Sequence, residues 1–179
     1  MIIGLAGYAR SGKDEVAKIL VENYGFTRVA FADPIRQFLL RVNPILESGH
    51  RVGELVKEFN WNIAKSKDET RRLMQEIGVA AREMFGEDFW VNLAMEEAHF
   101  HENVVITDVR FKNEIASIHN MNGKIFRVMR DGVGPVNNHI SETEIDTATV
   151  DGYIPNHETL EDLKEYVNQL MSSYANKVI

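Results

Sequence analysis

The chain has 179 residues, of which 44% are hydrophobic and 26% charged, with a net charge of −7 at pH 7 and no cysteine. This length suits one well-buried domain, and without cysteine neither disulfides nor thiolate metal sites can hold the fold. The acidic balance argues against a polynucleotide-binding protein, and we find neither a signal peptide nor an apolar stretch long enough to cross a bilayer, so we expect a cytoplasmic protein without nucleic-acid or membrane partners.

Positive charge is unevenly distributed along the chain. All eleven arginines lie within residues 1–130, whereas residues 131–179 carry two lysines and nine acidic residues. Several arginines stand at predicted ends of helices or loops, where anionic ligands are usually held. A small phosphorylated substrate fits this balance better than a polynucleotide does.

The first predicted element is the most informative. Apolar residues 2–6 predict a strand, the loop Gly7–Lys13 (GYARSGK) follows, and a helical pattern begins at Asp14. A strand, a glycine-bounded loop ending in lysine, and a helix are the setting of a phosphate-binding P-loop. The glycines let backbone N–H groups face phosphate oxygens, and Lys13 can reach the outer phosphates. Asp14 stands where a serine or threonine hydroxyl usually binds Mg²⁺.

Alternating strand and helix patterns follow, which favours a parallel sheet. Residues 27–31 predict the second strand, and Asp33 as N-cap with Pro34 in the first helical position predicts a helix start. Apolar residues at helical spacing predict two further helices, the second of which ends at Gly86, and then another helix. This long helical stretch, about residues 33–100, is an insertion of the kind that commonly builds a substrate pocket.

The second half of the chain continues the alternation. The predicted elements are strand 103–107, helix 113–121, strand 124–129, loop 131–140 and strand 153–154. Thr159 is predicted to N-cap the final helix, with Asp162 at the capping-box position.

An acidic residue at the carboxyl end of a buried strand is a candidate magnesium ligand. Asp108 follows the apolar strand, and in P-loop enzymes such a residue holds Mg²⁺ or its waters beside the phosphates. Arg110 could hold a second phosphate in a bidentate grip, or it could be a surface arginine paired with Glu114.

Several other polar residues have two interpretations. Gln75 and Arg82 are seven residues apart, so both project from one helix face. Gln75 could read a base edge and Arg82 a phosphate, or both could belong to a solvated face, and Arg36 has the same two interpretations. Arg127 and Arg130 bracket the entry to the glycine-rich loop, where a lid would close over ATP.

Three further features rank lower as functional sites. His99 and His101 are spaced like a metal pair, but no third ligand is evident, so exposed histidines at a helix end are favoured. Ser141, within His139–Glu142, is a candidate helix N-cap. Three aromatic residues are more typical of a core than of base stacking: Trp61, Phe89 and Trp90.

Together these residues resemble a known family, the phage-type deoxynucleoside monophosphate kinases within the P-loop nucleoside monophosphate kinases. The matching segments keep the family's order and span nearly the whole chain: Gly7–Asp14 (GYARSGKD), Phe31–Arg36 (FADPIR), Gln75–Arg82 with Phe89–Val91, Thr107–Glu114 (TDVRFKNE), His139–Glu144 (HISETE) and Asp151–Leu163 (DGYIPNHETLEDL). The Gly-Lys-Asp ending of the loop is similar to what this family shows, and phosphomevalonate kinases share it. Lys112 departs from the family, where proline is common at this position.

The resemblance implies a single α/β domain over residues 1–179 with a three-layer P-loop kinase fold. Its sheet is expected to have five parallel strands in the order 2-3-1-4-5, flanked by helices, with a helical acceptor-binding region at about 33–100 and a lid at about 130–142. It implies ATP and Mg²⁺, and transfer of the γ-phosphoryl group to a deoxynucleoside monophosphate, in the host cytoplasm if the protein is phage-encoded.

The residues and the resemblance together give four predicted sets. The catalytic set is Lys13, Arg10, Asp108 and Arg110. The ATP-binding set is Gly7, Ala9, Arg10, Ser11, Gly12, Lys13, Asp14, Glu15, Arg127 and Arg130. The acceptor set is Ala32, Arg36, Gln75, Arg82, Trp90 and Arg110. The metal set is Asp14 and Asp108, in part through water.

Two alternatives stay open at this point. One is a P-loop kinase for another small acceptor, such as dephospho-coenzyme A or phosphomevalonate. The other is a nucleotide-binding regulatory module without turnover. The preferred base, the need for a deoxyribose and the formation of a homodimer are not decided by these residues.

Overall fold

The computed structural model describes residues 1–64, 68–135, 144–147 and 149–175. The strands are β1 Ile2–Ala6, β2 Thr27–Val29, β3 Val104–Val109, β4 Lys124–Met129 and β5 Gly152–Pro155. The helices are α1 Lys13–Tyr24, α2 Asp33–Val42, α3 Val52–Ala64, α4 Asp68–Phe85, α5 Phe89–His99, α6 Lys112–Asn120 and α7 Leu160–Ala175, with a 3₁₀ turn at Glu144–Thr147. The chain divides into two compact units: residues 1–30 with 95–179, and residues 31–94.

The first unit is built on the five strands. All four strand pairs are parallel, and the order is β2-β3-β1-β4-β5, which confirms the predicted fold class. Every residue of β1 is buried, as expected for a central strand of a parallel sheet that is covered on both faces. One core cluster joins this sheet to α1 and α7, with Leu5, Leu20 and Val167 almost fully buried.

The second unit has its own smaller core, which joins α2, α3 and α4. Leu39, Val52 and Ala64 are buried in it, with Leu73 and Ile77 of α4 packed against them. Helix α3 has non-helical backbone angles at one internal residue, Asn60. Within the described ranges, no helix combines the length and apolar character needed to span a membrane.

Most predicted element ends agree with the structure, and α2 supplies a correction. Asp33 was predicted as its N-cap, but Ala32 occupies that position and no side chain caps the helix. Asp33 is the first residue of the helix, and its carboxylate accepts a hydrogen bond from Arg36 Nη1 at 2.6 Å. The strand predicted for residues 27–31 ends at Val29.

Two other predicted ends are confirmed in detail. Gly86 ends α4 with a φ of 101°, and its N–H donates to the carbonyl of Arg82 at 2.9 Å. Thr159 and Asp162 form the predicted capping box of α7, because each side chain accepts the other's backbone N–H. Residues 136–143, with most of the predicted lid and the predicted Ser141 N-cap, lie outside the described residues.

One carboxylate joins three elements at the amino-terminal end of the sheet. Asp151, just before β5, accepts hydrogen bonds from Lys124 Nζ (2.8 Å), the N–H of Ile125 (2.9 Å) and His119 Nε2 (2.8 Å). Burial alone would raise the pKa of Asp151, but these three partners outweigh it and lower the pKa from 3.8 to about 2. The carboxylate therefore stabilises the junction of α6, β4 and β5 in its charged form.

We expect Asp151→Asn to lower the free energy of unfolding at pH 7 by about 1–2 kcal/mol, after allowance for solvent screening of a partly exposed group. Because the folded-state pKa lies below 3.8, the stabilisation is complete above about pH 4 and is lost as the pH falls towards 2. Urea unfolding at pH 7, 5 and 3 should show the gap between wild type and variant narrowing at the lowest pH. Glu161→Gln, at an exposed acid of α7, is the control, and a gap that is constant with pH would contradict the prediction.

Candidate active site

The loop after β1 has the backbone shape of a phosphate cradle. Gly7, Arg10 and Gly12 all have positive φ angles, of 132°, 68° and 104°, so the chain curls tightly between β1 and α1. A Cβ on Gly7 would lie 2.6 Å from the carbonyl oxygen of Val128 in β4, so only glycine fits there. Arg10 is exposed and holds a left-handed conformation that is unusual for a non-glycine residue.

Lys13 is the first residue of α1, and its side chain folds back over the loop. Its Nζ donates hydrogen bonds to the carbonyl oxygens of Gly7 and Tyr8, both at 2.7 Å. The ammonium group is therefore held at the loop together with the positive end of the helix dipole. Both features favour an anion in the cradle.

The remaining predicted residues of the loop differ in exposure. Asp14 and Glu15 are exposed in the first turn of α1, and Ala9 is half-buried. Ser11 is only 1% exposed, and its Oγ has no hydrogen-bond partner among the described residues. A buried hydroxyl in this state can still accept or donate a hydrogen bond, so this part of the loop suits a polar ligand.

The predicted metal and phosphate residues after strand three lie beside this loop. Asp108 is half-buried in the penultimate position of β3, at the carboxyl end of the strand as predicted. The next residue, Val109, pairs with Ala6, the last residue of β1, so Asp108 is level with the start of the loop. Glu114 is 3% exposed and accepts the backbone N–H groups of Arg110 and Phe111, which fixes the turn that carries Arg110.

The donor set fits a magnesium ion shared with phosphates. No group of three or more His, Cys, Asp or Glu side chains suited to a metal occurs in the part of the chain that the structure describes. Mg²⁺ usually takes only one or two carboxylates and completes its shell with phosphate oxygens and water. Asp14 and Asp108 supply that number, and they stay the predicted ligands.

A cluster that sequence reasoning missed joins the loop to the 3₁₀ turn. Asp146 Oδ1 accepts hydrogen bonds from the Tyr8 hydroxyl at 2.7 Å and from Arg127 Nη2. The Arg127 guanidinium carbon also lies 5.1 Å from the centre of the Tyr8 ring. Tyr8 and Asp146 are 138 positions apart, and no local pattern links them.

These contacts change two pKa values. The hydrogen bond to Asp146, together with burial, raises the pKa of Tyr8. Burial alone would raise the pKa of Asp146, but its hydrogen bonds to Tyr8 and Arg127 lower it. Asp146 is therefore charged at neutral pH and holds Arg127 beside the loop.

A pocket of about 270 Å³ opens next to the loop. Tyr8, Ser11, Arg127 and Arg130 line it with polar groups, and the apolar lining residues are Val128, Met129, Val133 and Tyr153. An apolar wall with a few polar groups is typical of small-molecule sites. The predicted ATP residues Arg127 and Arg130 thus share one pocket with the phosphate loop.

Five of the six predicted acceptor residues belong to the second unit. Ala32 and Arg36 are half-buried at the start of α2, where Arg36 Nε is buried without a hydrogen-bond partner. Gln75 is exposed and Arg82 half-buried on α4. Trp90 is 5% exposed, and its indole N–H donates to the carbonyl of Gly78 at 3.0 Å, which leaves little of this ring for a ligand.

The histidine pair agrees only in part with the favoured interpretation, because His101 is half-buried and lies beyond the end of α5. His99 is exposed at the end of α5, and His101 Nε2 lies 3.3 Å from Glu97 Oε1 on the preceding turn.

A second missed contact lies at Lys112, the residue that departs from the family pattern. The backbone N–H of Lys112 donates to Glu144 Oε1 at 2.8 Å, which joins the start of α6 to the 3₁₀ turn.

Comparisons with known proteins agree with this geometry. Residues 43–167 match the family model described as deoxynucleotide monophosphate kinase. This match begins beyond the phosphate loop, so it is evidence independent of that motif. The chain is also 27% identical to a protein of Acanthamoeba polyphaga mimivirus named "Putative deoxynucleotide monophosphate kinase", over 98% of this chain and 97% of that protein.

Among solved structures, the fold is similar to that of dephospho-CoA kinase from Campylobacter jejuni. That comparison has a TM-score of 0.50 and 12% identity and covers 99% of this chain and 98% of the other. A shikimate kinase from Aquifex aeolicus compares at a TM-score of 0.49 and 15% identity, with 99% of each chain covered. At such identities the first likeness supports the fold and nothing further.

The Tyr8–Asp146 hydrogen bond predicts a spectroscopic result. Asp146→Asn removes the negative charge and replaces the carboxylate that accepts the hydrogen bond of the Tyr8 hydroxyl, so the pKa of Tyr8 should fall back towards 10. The measurement is a pH titration of ¹³C-labelled tyrosine rings by NMR, with Tyr8→Phe to assign the signal. Tyr174 is an internal control, because burial is the main cause of its raised pKa. An unchanged Tyr8 titration would mean that this bond does not form in solution.

Proposed function

Because this chain belongs to the deoxynucleotide monophosphate kinase family, we propose that it transfers the γ-phosphoryl group of ATP to a deoxynucleoside 5′-monophosphate, giving a deoxynucleoside diphosphate and ADP. The observation that carries the proposal is the phosphate loop, with its two left-handed glycines and with Lys13 at the head of α1. Such a loop binds the phosphates of the donor nucleotide through backbone N–H groups.

The residues around the loop have complementary tasks in this proposal. The loop amides and Lys13 bind the donor phosphates, while Asp14 and Asp108 hold Mg²⁺, in part through water. When bound, Mg²⁺ offsets the charge that develops on the phosphate oxygens. The pocket beside Tyr8 and Arg127 accommodates the rest of the donor nucleotide.

The acceptor phosphate carries close to two negative charges near neutral pH, so its site needs more than one cation. Arg36, Arg82 and Arg110 are the proposed partners. Arg36 supports this assignment best, because its Nε is buried and makes no hydrogen bond within the described residues. A buried N–H of this kind is costly to leave unpaired, and an anionic ligand would satisfy it.

The reaction needs positioning and charge stabilisation more than a base. An ionised oxygen of the acceptor phosphate forms the new bond to the γ-phosphorus as the bond between that phosphorus and the β–γ bridging oxygen breaks, and ADP leaves with the electron pair. Arg10, Arg127 and Arg130 are candidates to stabilise the transferred group. Arg127 is held beside the loop by Asp146, so it starts close to where this charge develops.

Two other functions are weighed against this one. A P-loop kinase for dephospho-coenzyme A or phosphomevalonate would share the loop and the fold, but the family match over residues 43–167 favours a nucleotide acceptor. A regulatory module would bind ATP without turnover. A regulatory module without an acceptor gives no reason for the buried Arg36 Nε, which makes no hydrogen bond within the described residues.

The decisive experiment is ADP release measured with ATP, Mg²⁺ and each common ribo- and deoxynucleoside monophosphate, with dephospho-coenzyme A and phosphomevalonate as further acceptors. We expect release that depends on one or more deoxynucleoside monophosphates. Lys13→Ala should reduce the rate by about a hundredfold or more without unfolding the protein. ATP binding without release for any acceptor would favour the regulatory module, and near-normal turnover in folded Lys13→Ala would contradict the role of the loop.

Replacing Arg36 by lysine tests the acceptor site. Lysine keeps the charge but lacks the Nε–H and the planar fork, so the acceptor KM should rise roughly tenfold or more while the Kd for ATP changes little. Arg41→Lys, at an exposed arginine in the last turn of the same helix, is the matched control. A change in ATP affinity with no change in acceptor KM would place Arg36 in the donor site and contradict the assignment.

A further inference from the structure

An asparagine outside the predicted site contacts the phosphate loop directly. Asn156 follows β5, and its side-chain Nδ2 donates a hydrogen bond to the carbonyl oxygen of Ser11 at 2.9 Å. Its own backbone N–H donates to the carbonyl of Met129 at 2.8 Å, so the residue is anchored to the end of β4. The contact joins positions 145 residues apart, which is why the local pattern does not reveal it.

The position of this hydrogen bond matters because of peptide geometry. The Ser11 carbonyl and the Gly12 N–H belong to one planar trans peptide, so they point in opposite directions. A donor that fixes the carbonyl also fixes the direction of the N–H. Because the Ser11 carbonyl faces Asn156 Nδ2, the Gly12 N–H points away from Asn156, at the residue just before Lys13.

Asn156 also limits the space behind the loop. A Cβ on Gly12 would lie 2.2 Å from Asn156 Nδ2, much closer than atoms can approach. At the other end of the loop, a Cβ on Gly7 would lie 2.6 Å from the carbonyl oxygen of Val128. The loop is thus braced at both glycines, by the β4 backbone at one and by the Asn156 amide at the other.

We propose that Asn156 is a positioning residue of the phosphate loop, whose side-chain amide holds the Ser11–Gly12 peptide so that the Gly12 N–H faces a nucleotide phosphate. The assignment rests on the proposed function only in taking a nucleotide as the ligand. Asn156 acts through the Ser11 carbonyl and does not itself touch the ligand.

The test uses ADP and the full chain. Asn156→Ala removes the donor, and Asn156→Asp keeps the size but replaces the donating amide by a carboxylate that repels both the Ser11 oxygen and the phosphates. We expect the Kd for ADP, measured by calorimetry, to rise about 10- to 100-fold in Asn156→Ala and further in Asn156→Asp. The matched control is Asn168→Ala, which removes the acceptor of the Tyr24 hydroxyl elsewhere in the same unit.

A readout at Gly12 separates positioning from a general loss of stability. In the wild type the ¹H–¹⁵N resonance of Gly12 should shift on ADP binding, and in Asn156→Ala this shift should be much reduced even at saturating ADP. Asn168→Ala, at an exposed position of α7, should keep both the ADP affinity and the Gly12 shift. Measurements at 10 °C keep the variants folded, and circular dichroism checks this.

The possible failures are distinguishable. If Asn156→Ala binds ADP within twofold of wild type, or keeps the full Gly12 shift, the positioning role is wrong whatever the enzyme does. If the wild type binds ADP but phosphorylates no deoxynucleoside monophosphate, the proposed function fails while the Asn156 test stands. If the wild type binds no ADP, both assignments are overturned.

Discussion

Parallel pairing of β1 with both β3 and β4 is the constraint on which the candidate site depends. In a parallel sheet all strands end at the same edge, so the residues that follow them meet there. The loop after β1, Asp108 near the end of β3 and Arg127 in β4 are close for this reason. None of these three segments is near another in sequence, and the register of the strands alone brings them together.

Backbone contacts then define the shape of the loop. The Val128 carbonyl excludes any side chain at Gly7, and at Gly12 a positive φ and the nearby Asn156 amide both disfavour one. Two carboxylates, the buried Glu114 and the exposed Asp146, fix the positions of charged neighbours around this frame. Glu114 binds the turn of Arg110, and Asp146 binds Arg127 and Tyr8. Glu114 binds only backbone N–H groups of the Arg110 turn, whereas Asp146 pairs directly with the Arg127 guanidinium and orients it.

The sequence was sufficient to predict the strand order through the family resemblance and the phosphate loop through its local pattern. Short-range signals predicted the individual elements, through apolar periodicity, and the loop, through glycine spacing with Lys13, whereas the strand order was implied by the resemblance alone. Asp33 was assigned to the wrong position because N-cap preference ignores a competing partner, and Arg36 takes its carboxylate. The contacts of Asp146 with Tyr8 and of Asn156 with Ser11 could not be predicted, because each joins residues more than a hundred positions apart that become neighbours only in the folded sheet.

The bond between the Lys112 N–H and Glu144 has a consequence for engineering this protein. Consensus design replaces an uncommon residue by the one its relatives usually carry, and it is a dependable source of stability because most such changes are harmless. At position 112 the family resemblance implies that it would select proline, which has no N–H to donate. The Glu144 carboxylate would lose its hydrogen bond to the start of α6. Position 112 should therefore be left out of any consensus library for this chain, since the structure uses the backbone N–H that proline lacks.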